Sequence, residues 1–499
     1  MQRKLPIFYS AILLTGVNLL LRLVSTSFQV YLSSRIGAAG IGLLQLVLSV
    51  GALSITAGMA GIRTSTMYLT AEALGKKKPG VIRWILSDCF LYSIVCSGAV
   101  ATALYFLAPY IAKVWLGEPN TVSAIQLYSF FVPVYCLCGV MTGFFTAAGR
   151  IGTLAAIEVA EQLLCMTATI SALTFWAGSD PVKACQSVIF GNGIGICMTL
   201  LSLVLLRLRE RAPVSPREST AGALLHTAVP LALADDLKAG ISTAENIMVP
   251  KRLALYPGAA KPLAAFGTVC GMVFPVLMFP AAILFGLAEL LLPELARCNA
   301  AGSKTRIRYL VKRTLKAAFL YGCLFGGAEL LLADALCHKL YPGTDAGSYL
   351  KLYAIMIPML YCDALTDAMT KGLGQQKACV RYNILTSAMD VALLFLLLPR
   401  YGMTGYFFSF LVTHAINFLL SFNRLMKITG KLLAVCPGVK AVAATVFSIL
   451  AAGFVSIPVL RLFAFLVIWG SLLFLMQVLK KEDISWIKGL IKSQKTQKL

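Results

Sequence analysis

The chain has 499 residues, of which 59% are hydrophobic and 13% charged, with a mean hydropathy of +0.81. A soluble domain carries about 25% charged residues, whereas apolar runs of about 20 residues recur here from end to end, so an ordinary soluble enzyme is excluded and a polytopic membrane protein implied. The net charge of +23 raises nucleic acid as a partner, a reading that the placement of the charges removes below.

Taken in chain order, the apolar runs predict 14 transmembrane helices. The first six are Ile7 to Leu32, Ile41 to Leu69, Trp84 to Val114, Ile125 to Ala147, Ile151 to Trp176 and Ala184 to Leu206. A polar, proline-bearing joint follows, Arg207 to Ser219. Six more spans are Ala221 to Val249, Ala264 to Leu292, Leu315 to Ala335, Leu350 to Leu373, Ala378 to Leu398 and Met403 to Met426. The last two are Val439 to Val455 and Val459 to Leu479, before a lysine-rich tail whose Ile484, Ile487 and Ile491 form an apolar stripe suited to the inner membrane surface.

The even number of spans puts both termini on one side. Loops on that side hold most of the lysines and arginines, among them Lys76 to Lys78, Arg207 to Arg217 and Arg297 to Lys316, an excess of about three to one over the opposite loops. By the positive-inside rule both termini are cytoplasmic, and the charge is topological rather than a nucleic-acid footprint. The apolar stretch behind Met1 to Lys4 is too long for a signal-peptide core and is expected to be retained as an anchor.

The chain also repeats itself. Tyr128 to Pro133, continuing to Gly149, aligns without a gap on Tyr353 to Pro358, continuing to Gly374; the same offset sets Gly42 on Gly267 and Gly61 on Gly286. Two units of six helices result. An even number of helices per unit gives both the same orientation, so the expected architecture is all-α, with two parallel-repeat lobes around a central cavity and two extra C-terminal helices. The expected domains are residues 1–211 and 212–430 for the lobes, 431–480 for the extra pair and 481–499 for a basic cytoplasmic tail.

Charges inside the spans are expensive and by default functional. Arg22 stands mid-span, about 15 residues and so roughly 22 Å along the first helix. It suits an anionic ligand; the alternative is a structural pair with an acid on a neighbouring helix. Arg63 lies late in the second span, where it serves either the ligand or, by snorkelling, the interface. Its repeat-equivalent Ala288 precedes Glu289, which makes Arg63 and Glu289 a candidate gate pair.

The seventh span carries Asp235, Asp236, Lys238 and Glu245. Asp235 and Lys238 are spaced to pair along one helix face, while Asp236 and Glu245 are candidates for cation coupling or for lining the cavity. Asp363 and Asp367 share a face of the tenth span and form either a proton or sodium site or ordinary hydrogen bonds. Glu158, Glu161 and Asp390 are further acids within the apolar spans. The 14 cysteines and three histidines show no metal-ligand spacing, so no metal and no cofactor are expected; coupling would draw on the membrane potential, H+ or Na+.

On Arg22, the stretch Ser34 to Gln45, the stretch Glu245 to Leu253, and Gly271 to Pro293 with prolines at 275 and 280, the chain resembles the multidrug, oligosaccharidyl-lipid and polysaccharide exporter superfamily. Within it the likeness is to the polysaccharide transporters of the stage V sporulation protein B-like branch, related to lipid II flippases. The family usually has aspartate where Glu245 stands. The resemblance implies a flippase that moves an undecaprenyl-pyrophosphate-linked saccharide, such as the cell-wall precursor lipid II, from the inner to the outer leaflet of a bacterial plasma membrane by alternating access. It further implies that helices thirteen and fourteen line a groove for the lipid tail. Membrane lipids and a cell-wall polymerase are the implied partners, and a monomer the default assembly.

Two other classes compete. A multidrug or cation antiporter would favour carboxylates and aromatics in its cavity. A glycosyl- or phosphotransferase acting on a polyprenyl carrier would need an acidic or histidine cluster, and the sequence shows no nucleophile with its base and no phosphate-cradling glycine loop.

Overall fold

A computed structural model describes residues 7–76, 79–178, 180–209, 216, 220–430 and 435–479. The joint between the repeats lies mostly outside these residues, as does the basic tail, so the expected amphipathic stripe of the tail lies outside the described residues. No strand occurs among the described residues. The helices are α1 (Ile7–Met59), α2 (Ile62–Gly75), α3 (Ile82–Tyr110), α4 (Val122–Ala147), α5 (Ile151–Ala172), α6 (Pro181–Leu208), α7 (Ala221–Leu253), α8 (Pro262–Thr268), α9 (Phe274–Leu277), α10 (Ala281–Ala300), α11 (Lys304–Leu340), α12 (Ala346–Ala354), α13 (Ile357–Gly372), α14 (Gln376–Thr429), α15 (Val435–Gly453) and α16 (Pro458–Leu475).

All fourteen expected spans are helical, but their boundaries differ in ways that the backbone explains. The first two run together in α1, interrupted only at Gly37 (φ 68, ψ 177), and the eleventh and twelfth run together in α14, interrupted at Gly402 (φ 58, ψ −140). Only glycine takes these angles without a Cβ penalty. The second span is not continuous as expected, because it breaks between α1 and α2 at Ala60 (φ 42) and Gly61 (φ 72). The eighth bends by 67° between α9 and α10, beside Pro275 and Pro280, and the tenth by 60° between α12 and α13, beside Pro358. Prolines there remove N–H donors from the helical ladder.

Eight described helices are long and apolar enough to cross a membrane, or ten with each bent pair as one span. The difference from fourteen is physical. The continuous stretch Leu19–Gly75 and α14 each hold two expected spans, α7 carries too many charges to qualify, and α15 has too short an apolar stretch.

By its internal contacts the chain groups into one unit of Met1–Pro275 with Ser387–Phe410 and a second of Val276–Thr386 with Leu411–Leu499. This grouping does not fall at the joint between the repeats. In the first unit α7 and α8 pack on α1, alongside α3 to α6. In the second, α11 packs on α13, and the extra pair α15 and α16 packs on α11 through Phe465, Trp469 and Ala444. There a bare Gly327 accommodates the Phe465 ring, and Trp469 Nε1 donates to Thr445 Oγ1 at 2.9 Å.

The repeat is visible in local geometry. Gly149 (φ 72) ends α4 with N–H bonds from Gly149 to Thr146 O and from Arg150 to Phe145 O. Gly374 (φ 78) follows α13 with the same pair, Gly374 to Lys371 O and Gln375 to Thr370 O, at the same offset. Within the first unit two repeat-related glycines touch. A Cβ on Gly42 would lie 2.2 Å from Leu263 O, and a Cβ on Gly267 would lie 2.1 Å from Ala38 O. Ala38 and Leu263 are themselves repeat-equivalent, so the contact is reciprocal, the pattern that a local twofold axis generates.

Replacing Gly42 or Gly267 by alanine is therefore expected to force α1 and α8 apart at a cost of about 1–3 kcal/mol each. The double variant should lose less than the two single losses combined, because both widen one contact. Melting of the detergent-purified variants checks this, and full additivity would contradict it.

Candidate functional site

The break at Ala60 and Gly61 builds the site. Hydrocarbon cannot satisfy a freed backbone carbonyl, and Tyr92 on α3 supplies a partner by donating its hydroxyl to Ala60 O at 3.2 Å. A Cβ on Gly61 would lie 2.5 Å from Ala228 O, so the absence of a side chain lets α7 lie directly against the break. On the other side, a Cβ on Gly143 of α4 would lie 2.4 Å from Arg63 O, which seats the start of α2 tightly on α4.

Beside the break lies an open cleft of about 420 Å³. Thr56, Arg63 and Thr64 line it from one side and Asp235, Lys238 and Ser242 of α7 from the other. A second cleft of about 300 Å³ shares Ala239 and Ser242 with the first and is lined by Gln45 and Ser49 of α1 and by Thr243 and Asn246 of α7. Both volumes fall in the ~300–1,000 Å³ range of small-molecule sites. The two clefts form one trough within the first unit, charged at one end and neutral at the other.

The expected Asp235–Lys238 ion pair does not form. Arg63, Lys238 and Asp235 are all exposed to the trough, and neither cation makes a hydrogen bond or ion pair with a described residue. The charged end thus holds two free cations against one carboxylate. Asp236 is turned away from the trough: it lies near Tyr92, and its Oδ1 is enclosed without a hydrogen-bond partner. Arg22 is partly buried on α1, makes no hydrogen bond or ion pair with a described residue, and is not among the described residues lining either cleft. The side chain of Glu289 lies outside the described residues.

The other predicted acids have partners. The Glu245 carboxyl lies within hydrogen-bond reach of Asp390, a buried acid on α14 to which Ser409 Oγ also donates at 2.5 Å. Cys270 and Tyr406 lie beside them, 3.6 Å apart. The two carboxyls thus meet between α7 and α14 inside the first unit. In the second unit Asp363 and Asp367 each have a further partner of their own. Asn417 Nδ2 donates to Asp363 at 3.3 Å, and Asp367 pairs with Lys371 at 2.5 Å. Glu161 accepts from Thr199 Oγ1 at 2.6 Å. No group of three or more histidine, cysteine, aspartate or glutamate side chains is arranged for a metal among the described residues.

Sequence reasoning overlooked Gln45, Ser49, Thr243 and Asn246. Neutral polar side chains carry no cost signal comparable to a charge in an apolar span, and only their facing positions reveal them. It also overlooked Glu329, which is 7% exposed on α11 with one carboxyl oxygen unpartnered.

Comparison with known proteins bears on the fold. Residues 14–169 match the MatE family. Stage V sporulation protein B of Bacillus subtilis (strain 168) is 19% identical over 400 residues, which are 78% of this chain and 77% of that protein. A lipid II flippase, MurJ, in an inward closed conformation superposes with a TM-score of 0.68 at 11% identity, covering 92% of this chain and 98% of that one. An inward-facing multidrug resistance MATE family transporter gives a TM-score of 0.64 at 13% identity, covering 84% and 99%. The chain is a polytopic membrane transporter rather than an enzyme. Its MatE-like region and its fold, shared with MATE transporters and the MurJ flippase, are what the chain has in common with these proteins.

Gly61→Ala should disrupt the site from within. It places a Cβ at a positive φ, which costs about 1–3 kcal/mol in strain, and drives it against the Ala228 carbonyl. A lowered melting temperature together with increased solvent accessibility of a cysteine introduced at Thr64 is the expected result; an unchanged melt would show that the break is not held by this contact.

Proposed function

We propose that the protein is a flippase for a polyprenyl-diphosphate-linked saccharide, carrying it from the inner to the outer leaflet of a bacterial plasma membrane with both termini cytoplasmic. The observation that carries this reading is the pair of cations, Arg63 and Lys238, that line opposite walls of one cleft with no hydrogen bond or ion pair to a described residue. A diphosphate must be stripped of water to cross, and fixed guanidinium and ammonium groups replace that water with charge-assisted hydrogen bonds. Asp235 keeps the site from binding an anion too tightly to release. Arg22 supplies a further unpaired cation on α1 that the headgroup meets on its way. The relatives whose names mention lipid II and sporulation support the same reading. The two six-helix repeats, related by the reciprocal glycine contact, act as the lobes that alternate access.

The test uses a bacterium whose own lipid II flippase can be switched off, with lipid II exposed on the outer leaflet as the readout. Wild type should restore exposure. Arg63→Ala and Lys238→Ala should each reduce it about tenfold or more, the loss of one hydrogen bond to a charged group at roughly 1.5–3 kcal/mol. Arg63→Lys should retain part of the activity, since the charge survives and the bidentate fork does not. No exposure from correctly inserted wild type would reject lipid II as cargo, and efflux of organic cations would then favour the multidrug antiporter reading to which the MATE likeness points.

In this scheme Glu245, whose carboxyl contacts Asp390, is the group that couples transport to an ion gradient. Glu245→Gln should leave binding of a diphosphate lipid intact and abolish the response of transport to an imposed proton or sodium gradient in proteoliposomes. A variant that responds to the gradient as wild type does would remove Glu245 from coupling.

A further inference from the structure

We infer that the neutral end of the trough is a saccharide subsite, formed by Gln45 and Ser49 of α1 and by Thr243 and Asn246 of α7, which reads the sugar of the lipid-linked cargo while Arg63 and Lys238 hold its diphosphate. This rests on the flippase reading above and deepens it.

The chemistry of the two ends differs sharply. The charged end carries Arg63, Lys238 and Asp235 beside the hydroxyls of Thr56 and Thr64; around the neutral end no lining residue among those described is charged, and the polar groups are two carboxamides and three hydroxyls, with Ser242 shared by both ends. Carboxamides offer a donor and an acceptor side by side, the match for vicinal hydroxyls and for acetamido groups, and hydroxyls adapt as either partner. Leu48 and Leu53 supply apolar surface in the same wall, which suits the C–H faces of a pyranose. An organic cation would find no carboxylate at this end, and a second phosphate would find no cation.

The hydrogen-bond inventory separates residues that build the subsite from those free to read a ligand. Asn246 Nδ2 donates to Ser49 Oγ at 3.0 Å, Ser49 Oγ donates to Gln45 O at 2.8 Å, and Thr243 Oγ1 donates to Ser49 O at 3.2 Å. These bonds fix the wall across α1 and α7. The Gln45 carboxamide makes no hydrogen bond with any described residue, although it is half-buried and lines the cleft. A half-buried amide with neither donor nor acceptor used is poised for a partner that enters the cleft.

Distance fits as well. From Lys238 to Asn246 the rise along α7 is roughly 12 Å at 1.5 Å per residue, room for a diphosphate followed by one or two sugars. The order is then fixed, with the diphosphate beside the break in the second span and the saccharide toward the Gly37 end of α1.

Equilibrium binding to the purified full chain in nanodiscs tests the assignment with two probes, undecaprenyl diphosphate and lipid II. Wild type should bind lipid II about tenfold or more tightly than the bare diphosphate lipid. Gln45→Leu should erase most of that difference and leave the affinity for undecaprenyl diphosphate unchanged; because Gln45 supports no bond in the wall, this variant is not expected to disturb the fold. Arg63→Ala, by contrast, should weaken both probes by the same factor. Equal affinity of wild type for the two lipids would overturn the subsite while leaving the flippase reading standing. So would a Gln45→Leu variant that keeps the full preference, since the neutral wall would then be structural only. Failure of wild type to bind either lipid would overturn both readings.

Discussion

Hydrocarbon tolerates neither an unpaired backbone group nor an unpaired charge, and the first unit is organised around meeting that constraint at one break. Opening the second span at Ala60 and Gly61 frees a carbonyl that Tyr92 satisfies, exposes the Arg63 side chain, and brings α7 close enough for its Ala228 carbonyl to touch a glycine. Each of these depends on the others. Without the glycine, α7 could not approach; without α7, the trough would have one wall and Arg63 would face lipid. The cost of a left-handed Ala60 and of two unpaired cations is met by packing on both sides, through Gly143 on α4 and Ala228 on α7.

The same logic accounts for the glycines at the contact between α1 and α8. Repeat-related Gly42 and Gly267 each accept the other helix's carbonyl at a distance no side chain permits. Helices in membranes associate through such small residues, because lipid removes the hydrophobic drive that joins helices in water. A reciprocal contact also explains how a duplicated chain retains its symmetry. A change on one side is felt at the equivalent place on the other, so the pair is held by a single geometric demand.

Much of this was legible in the residues. Apolar runs located the helices, a constant offset located the repeat, and the cost of charge in a span singled out Arg63, Asp235, Lys238 and Glu245. What the sequence concealed was partnership. Asp235 and Lys238 have the spacing of an ion pair, yet α7 turns both toward the trough, where water and a facing helix compete with the local bond. Glu245 and Asp390 looked like isolated acids, because the fold that joins α7 to α14 leaves no local mark. The break after Ala60 was hidden because glycine within an apolar helix is common, and only the close approach of α7 distinguishes this one. Gln45 and Asn246 were invisible as a pair for a simpler reason: neutral side chains pay little to lie in a helix, so their presence signals nothing until another helix faces them.

One element joins the separate parts. Just before α7, Thr220 donates both its N–H and its hydroxyl to Asp88 Oδ2 at 3.0 and 2.7 Å; α7 touches the break at Ala228, forms the trough from Asp235 to Asn246, and carries Glu245 to the acid cluster. Near its far end Lys251 donates to Val114 O, and Arg252 donates to Phe395 O while its guanidinium lies 3.5 Å over the Phe395 ring. The helix is thus held at both ends and through its middle. Glu245 and Lys238 lie less than three turns apart along this same helix. Pro230 lies between the Asp88 anchor and the trough and removes one bond from the ladder, which makes it the weakest point of the helix and the place where a movement of the trough wall can be separated from its anchored start.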